Sequence, residues 1–535
     1  MSVKLRPLVG MGCVLIALLL VALLVARLMM QWAVEPQPAA VDGHTLLPVD
    51  CWFEAEPNVQ CYRFEVVEAG QQFNLPVVVL QAAKPQTPGT QAVLYLSGGP
   101  GGSAFLSAED MTYWQAQYQR LALNADLVLV DRRGTGLATP ALQCRAFRRT
   151  YRRLLSKNYS AERENDAIHS AMSLCFEQHL SAEPAADRIA VSALGTQADT
   201  RDMQALMMAL SGARGYQQWH LWGVSYGTRL ALAIAEQHAQ ITPADSPVLR
   251  SLVLDSVYPP GRGSDEEWPV LMSEAMQRFF QWCDRQACTE YHAATWPSEQ
   301  LFQQVLARLD RHPVSLSLPS WYGEAPYTLV VNGQRFLQIV FGAIYDQYLW
   351  PQVGKALRQV PLGDDEALAR LSENFINNAF DPIFSELVFY AAECKDNRPV
   401  HDDEIHAALA QSPHYRRYLE GQMQWDVCAV DLFERVRGSE QLPLDLAGRL
   451  PMPVLLLNGA IDPITPAHWL TPLQQQLPVW QSAVFSEVGH AVVASHACAE
   501  QLLASFLANP LKKLRAQGEG CQADQVQLKH GPGVL

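Results

Sequence analysis

The sequence predicts an α/β fold, a doubly wound and mostly parallel sheet interrupted by a large helical insertion, and three observations carry that expectation. Five short apolar runs each end in a turn of unusual residues, as buried parallel strands do. Helical stretches fall between the runs, and such alternation is the pattern of a parallel sheet covered on both faces. From Asp255 to Pro451 the alternation stops and the chain reads as aromatic-rich helical segments, so an insertion separates two strands of one sheet. At 535 residues the chain exceeds the roughly 250–300 at which one core stops growing.

The elements follow in order. Lys4 and Arg6 precede an apolar run from Leu8 to Ala26, which approaches the ~20 residues that span a bilayer. The positive-inside bias keeps the first residues cytoplasmic and exports the rest. Residues 1–30 therefore read as a signal segment or membrane anchor, and as an uncleaved anchor because Pro38-Ala39-Ala40 is a poor cleavage site. Residues 31–50 read as a Pro-containing linker. Cys51 to Ala83 reads as strands, the clearest being Val77 to Leu80 with Pro76 at its start. The five apolar runs are Ala92 to Leu96, Leu127 to Val130, Trp219 to Trp222, Leu252 to Leu254 and Val454 to Leu457. The domains expected are a core in two parts, 51–258 and 451–535, around a mainly helical cap at 259–450.

Composition narrows the partners. Hydrophobic residues make up 49% and charged residues 18%, which describes a globular chain and excludes a disordered or fibrous one. A formal net charge of -14 repels phosphate backbones, so nucleic acid is not an expected partner. The basic run Arg145 to Arg153 reads as a solvated helix face. Of eleven cysteines, Cys13 lies in the apolar run, leaving an even ten suited to an oxidising compartment, periplasmic or extracellular. Sequence fixes no connectivity; neighbour pairing joins Cys51 to Cys61, Cys144 to Cys175, Cys283 to Cys288, Cys394 to Cys428 and Cys498 to Cys521. Without a C-x-x-C pair, and with histidines scattered away from the cysteines, no metal site is expected.

The chemistry concentrates at strand ends. Gly223-Val-Ser225-Tyr-Gly227 matches G-x-S-x-G between an apolar strand and a good helix former, the context a nucleophile elbow requires. Residues two before and two after the nucleophile must be nearly free of side chain, which Gly223 and Gly227 supply. The motif in this setting points to the α/β-hydrolase fold, whose triad runs Ser, then acid, then His along the chain. Asp462 follows the run Val454 to Leu457, and His490 follows Ala483-Val-Phe485, both just past strand ends where sheet sites gather. Taken singly, an Asp in a turn caps its own backbone and a His packs in a core; order and placement together make them candidates. Asp255, at the end of the preceding strand, is the alternative acid. Ser97-Gly-Gly-Pro-Gly-Gly102 follows the strand that supplies the second oxyanion donor. Pro100 has no N–H, so Gly99 is the expected donor, joined by the amide of Tyr226.

These motifs together resemble the prolyl aminopeptidase and tripeptidyl aminopeptidase family of serine peptidases. The matching residues are Gly98-Gly-Pro-Gly-Gly102, Asp131-Arg-Arg-Gly-Thr-Gly136, Gly223-Val-Ser-Tyr-Gly227, Asn458-Gly-Ala-Ile-Asp462-Pro-Ile-Thr-Pro466 and Gly489-His490. Ser97 stands where prolyl aminopeptidases usually have His, and Arg132 where they often have Gln, so the tripeptidyl-like branch is the closer match; Ala391-Ala-Glu-Cys394-Lys-Asp396 fits it too. The resemblance implies an exopeptidase acting on free peptide N-termini under a helical cap whose carboxylates hold the amine. Glu393 is the candidate for that role, a structural acid beside a disulfide being the other reading. No metal or organic cofactor is implied. Two other readings stay open: an esterase or lipase with the same triad, and a non-catalytic binding protein on the same fold.

Overall fold

The computed structural model describes residues 39–41, 43–82, 91–241, 248–285, 297–423, 427–442, 446, 450–516, 521–522 and 525–534. Eleven strands form one sheet: β1 (Ala39–Val41), β2 (His44–Val49), β3 (Val59–Glu68), β4 (Gln71–Leu80), β5 (Gln91–Leu96), β6 (Asp126–Val130), β7 (Gln218–Val224), β8 (Val248–Asp255), β9 (Val454–Gly459), β10 (Trp480–Phe485) and β11 (Val526–His530). Their order is β1-β2-β3-β4-β6-β5-β7-β8-β9-β10-β11. The six from β6 to β10 pair in parallel and the flanking strands pair antiparallel. All five apolar runs of the sequence lie in the parallel part.

Both faces of that part are covered, which is why its strands are apolar without alternation. One face, with Leu94, Leu252 and Leu456, packs on helices α2 (Thr196–Arg214) and α3 (Tyr226–Ile241). The other, with Val93, Val253 and Leu455, packs on α1 (Ala108–Leu121) and α6 (Ala497–Ala508). Between β8 and β9 the chain builds a second core around Phe279, Phe302, Phe336 and Trp350, mostly helical with one hairpin of Val314–Leu318 and Tyr327–Val331. Two helices matter below: α4 (Glu386–Asp396) from that insertion, and α5 (Val492–Ser495) just after His490.

Three expectations need correction. The stretch read as a linker, residues 31–50, contains β1 and β2, and β2 pairs with β3 along its whole length while Leu46 enters the core. Its alternating pattern is short and interrupted by Pro48, so it resembled a linker. Pro76 lies inside β4 and not at its start, at the point where pairing with β6 has stopped. There its carbonyl accepts the amide of Asp131, and the missing N–H costs no bond to β6. The basic run is also more than a solvated face: Arg148 donates to the carbonyls of Asp381 and Phe384 and pairs with Glu386, seating the loop that leads into α4.

Disulfides join Cys51 to Cys61, Cys144 to Cys175, Cys394 to Cys428 and Cys498 to Cys521. The Cys283–Cys288 pairing rests on Cys288, which lies outside the described residues, as does the apolar run Leu8 to Ala26. Four disulfides fit an extracellular or periplasmic protein. Among the described residues no helix is long and apolar enough to cross a membrane.

A chain beginning at Cys51 loses β1 and β2 and bares the edge of β3. Compared with one beginning at Ala39, its Tm is expected to fall by roughly 5 °C or more; equal melting curves would show that β2 contributes nothing to stability.

Candidate active site

The serine turn is dictated by space. Ser225 has φ 56, in the left-handed region. A Cβ on Gly223 would run into the carbonyl of Gly227, and one on Gly227 into that of Leu96, so only glycine closes the turn. The Ser225 N–H donates to the carbonyl of Asp255 at 2.9 Å, and Thr228 Oγ1 donates to the carbonyl of Ser225 at 2.7 Å. These bonds hold a conformation that costs an ordinary residue about 1–3 kcal/mol.

His490 and Asp462 meet across the ends of β9 and β10. The imidazole Nδ1 lies 2.8 Å from Asp462 Oδ2. That carboxylate is fully buried and also accepts the N–H groups of Ile464 and Thr465, at 3.0 and 2.9 Å, and the Thr465 hydroxyl, at 2.8 Å. Asn458 braces the loop, accepting Val257 N–H and donating to the Thr465 carbonyl. Burial favours the neutral imidazole, but the carboxylates of Asp462, hydrogen-bonded to it, and of Asp255 outweigh burial and raise His490 above the ordinary 6.5. The insertion takes part: the carbonyl of Tyr345 accepts the His490 N–H at 2.9 Å, and its ring meets the imidazole edge-on.

Asp255, the alternative acid, is occupied elsewhere. Its carboxylate accepts the N–H groups of Val492 and Val493, at 2.9 and 3.0 Å, at the start of α5. Burial, only partly offset by those two bonds, raises its carboxyl to about 6. It fixes the turn carrying His490 and does not bond the imidazole. His496 caps α6, its Nδ1 accepting Cys498 N–H.

The Asp131-Arg-Arg segment is a set of buried anchors. Asp131 accepts the amides of Ala104 and Leu137, Arg132 reaches the loop of Gly98 to Gly102, and Arg133 forks onto both oxygens of Asp202. Gly98 lies so close to Ser225 that a Cβ there would stand 3.0 Å from the serine Cβ. Gly99, Ser225, Tyr226 and His490 all line one cavity of about 590 Å³.

Glu393 lines that cavity too, on α4. Its Oε2 accepts Asn397 Nδ2 at 2.6 Å and the Tyr258 hydroxyl at 3.4 Å. Burial raises the carboxyl to about 7 against the lowering effect of Arg229 and those two donors. The remaining walls are largely aromatic, with Tyr95, Trp114, Trp222, Trp268, Phe389 and Trp469 among them. Thr465 and Tyr345 escaped the sequence reading as parts of the site. Only for Thr465 was there a local signal, three residues beyond Asp462, the spacing of a side chain that returns to its own turn.

Comparison with known proteins agrees with this architecture. The sequence profile of a family described as the alpha/beta hydrolase fold matches residues 91–497, well over half the chain. The chain belongs to that family. A search of curated proteins finds no match. Among solved structures, the hydrolase resembles a proline iminopeptidase of Mycobacterium smegmatis at 14% identity and TM-score 0.35, covering 83% of this chain and 97% of that one. It also resembles a serine hydrolase of Cycloclasticus zankles, at 15% identity and TM-score 0.38 over 84% and 99% of the two chains. A third is an esterase of Thermogutta terrifontis, at 13% identity and TM-score 0.32 over 84% and 97%. Likenesses this distant do not choose between peptidase and esterase.

The two acids should separate experimentally. Asp462→Asn is expected to lower kcat per folded molecule by about a thousandfold or more through loss of the imidazole's orientation. Asp255→Asn is expected to lower stability by about 1–3 kcal/mol as two helix amides lose their charged acceptor, with kcat per folded molecule less affected. The reverse pattern would make Asp255 the orienting acid.

Proposed function

We propose that this hydrolase is an exported serine exopeptidase that removes residues from free peptide N-termini through an acyl-enzyme at Ser225. The observation that carries the reading is the company the serine keeps. The cavity that holds Ser225 and the His490–Asp462 pair is also walled by the half-buried carboxyl of Glu393, and among the described residues no Lys or Arg lines it. A site of that charge attracts an ammonium group and repels an acidic one. The resemblance of Gly98 to Gly102 and Asn458 to Pro466 to the prolyl and tripeptidyl aminopeptidase family, and of Ser97, Arg132 and Ala391 to Asp396 to its tripeptidyl-like branch, supports the same reading.

In this mechanism Ser225 Oγ attacks the scissile carbonyl while His490 Nε2 accepts its proton, and Asp462 holds the imidazole in the required tautomer. The carbonyl oxygen, now negative, is met by the amides of Gly99 and Tyr226. His490 returns the proton to the leaving amine, and water repeats the sequence on the acyl-enzyme. Thr465 is a positioning residue that supports Asp462. Glu393 receives the substrate's ammonium. On the sequence alone, residues 8–26 hold the enzyme at the outer face of the cytoplasmic membrane.

The deciding experiment uses aminoacyl and tripeptidyl anilides, free or blocked at the N-terminus, beside simple esters, with wild type and Ser225→Ala. Serine-dependent cleavage of the free-amine anilides is expected; cleavage of esters alone would make the protein an esterase, and no turnover at all would favour a binding protein.

The pH dependence follows from the two shifted groups. His490 must be neutral to act as base, so kcat/KM should rise with pH through a value above 6.5. Glu393 titrates near 7 and must be ionised to pair with an amine. KM for free-amine substrates should therefore rise as pH falls below about 7, KM for blocked substrates should not, and Glu393→Gln should abolish the difference. Parallel KM profiles for the two substrate classes would eliminate Glu393 as the amine site.

A further inference from the structure

Arg132 is almost fully buried beneath the serine turn, a costly place for a guanidinium, and its two Nη atoms carry its hydrogen bonds while Nε has no partner among the described residues. Its Nη1 donates to Asp199 Oδ2 at 2.8 Å. Its Nη2 faces three carbonyls of one short loop: Pro100 at 2.6 Å, Gly98 at 3.2 Å and Gly102 at 3.4 Å. The guanidinium also lies 5.1 Å from the centroid of the Tyr226 ring, within the range of a cation–π contact. The far end of Tyr226 is fixed as well, its hydroxyl 2.6 Å from Thr196 Oγ1, which donates to Asp396 at 2.7 Å.

The geometry of the peptide unit gives these contacts a consequence. In a planar trans peptide the C=O and N–H point in opposite directions. The Gly98 carbonyl and the Gly99 N–H belong to one such unit. Turning that carbonyl toward Arg132 turns the Gly99 N–H away from it. A donor whose carbonyl partner is itself bonded to a cation is also polarised, and donates more strongly.

We propose that Arg132, held by Asp199, is a positioning residue that aims the two oxyanion-binding amides at once, gripping the Gly98–Gly102 loop from below and bracing Tyr226 through its ring. Asp199 holds the guanidinium at Nη1 while Nη2 meets the loop carbonyls, so that a fork of fixed shape, and not charge alone, sets the loop. Lys cannot replace it, since one ammonium cannot span Asp199 and three carbonyls. The inference rests on Ser225 being the nucleophile and is indifferent to whether the acyl group comes from a peptide or an ester.

The test compares Arg132→Lys, Arg132→Gln and wild type, with working sites counted by fluorophosphonate titration so that misfolded protein does not enter kcat. Substrates are a free-amine anilide and a short-chain nitrophenyl ester. Misaimed donors are expected to lower kcat per titrated site on the order of 100-fold for Gln and about tenfold for Lys, since losing one donor outright costs about 100- to 1000-fold. KM should stay within about twofold. An aminoacyl aldehyde, which Ser225 adds to as an oxyanion-bearing hemiacetal, should lose affinity by the same factor, while the matching amino alcohol should not. A purely structural arginine would instead weaken aldehyde and alcohol together, or leave kcat per site unchanged, and either result overturns the proposal. If both Arg132 variants fail to fold, Asp199→Asn decides: a smaller loss confined to kcat supports the proposal, and an unchanged kcat refutes it. A wild type that cleaves the ester but not the anilide removes the aminopeptidase reading and leaves the comparison on the ester intact.

Discussion

The end of strand β8 is the constraint on which the site depends. Asp255 gives its main-chain carbonyl to the N–H of Ser225 and its carboxylate to the amides of Val492 and Val493, while its neighbour Ser256 accepts the N–H of Ala491 through its hydroxyl. Ser225, Ser256 and Ala491 all carry positive φ, at 56, 58 and 60. Left-handed residues other than glycine each cost about 1–3 kcal/mol and persist only where surrounding bonds over-determine them. Asp255, the last residue of β8, and Ser256, the residue after it, thus hold the serine turn on one side and the histidine turn on the other. The relative position of Ser225 and His490 is inherited from a parallel sheet that is rigid because both its faces are buried.

Much of this was legible in the sequence, for a physical reason. Parallel strands buried on both faces must be apolar throughout, so the five runs stood out. Close backbone approach leaves its own mark: Gly223, Gly227 and Gly489 each stand where a Cβ would meet a neighbouring carbonyl. Order along the chain left both Asp255 and Asp462 between the serine and the histidine, and only the folded contacts separate them, since His490 bonds Asp462 while Asp255 takes the amides of Val492 and Val493. What remained hidden is made by chain segments far apart in sequence. Nothing near Tyr345 announces that its carbonyl will receive His490, and nothing in Asp131-Arg-Arg says which loop Arg132 will grip. β1 and β2 were hidden because a short edge strand with a proline has the composition of a linker. Pro76 misled because its missing N–H is harmless where the ladder with β6 has already ended.

The insertion is part of the catalytic body and not a detachable cover. The amide of Ser385, at the start of α4, donates to the carbonyl of Gly101, and Asp396 at its end accepts from Thr196. Tyr345 bonds His490, and Arg278 donates to the carbonyl of Asp462. These contacts reach the oxyanion loop, the histidine and its acid, so swinging the whole insertion away would dismantle the site it covers. Phe105 and Tyr113 line the cavity and remain exposed, so the cavity reaches solvent beside them.

That arrangement gives the half-buried carboxyl on α4 a particular sensitivity. Desolvation has brought Glu393 to about 7, the point at which its charged and neutral forms are nearly balanced near neutral pH. An ammonium placed against it supplies the opposite charge that burial withheld, and the carboxylate is recovered at little cost. A blocked, neutral N-terminus offers no such compensation: it leaves either an unpaired charge in an aromatic cavity or a protonated acid with its proton unshared. In the proposed aminopeptidase, discrimination between free and blocked chains would then come as much from the penalty on the wrong ligand as from attraction to the right one. The aromatic walls that raise this carboxyl and exclude water are the means by which the fold sets that penalty.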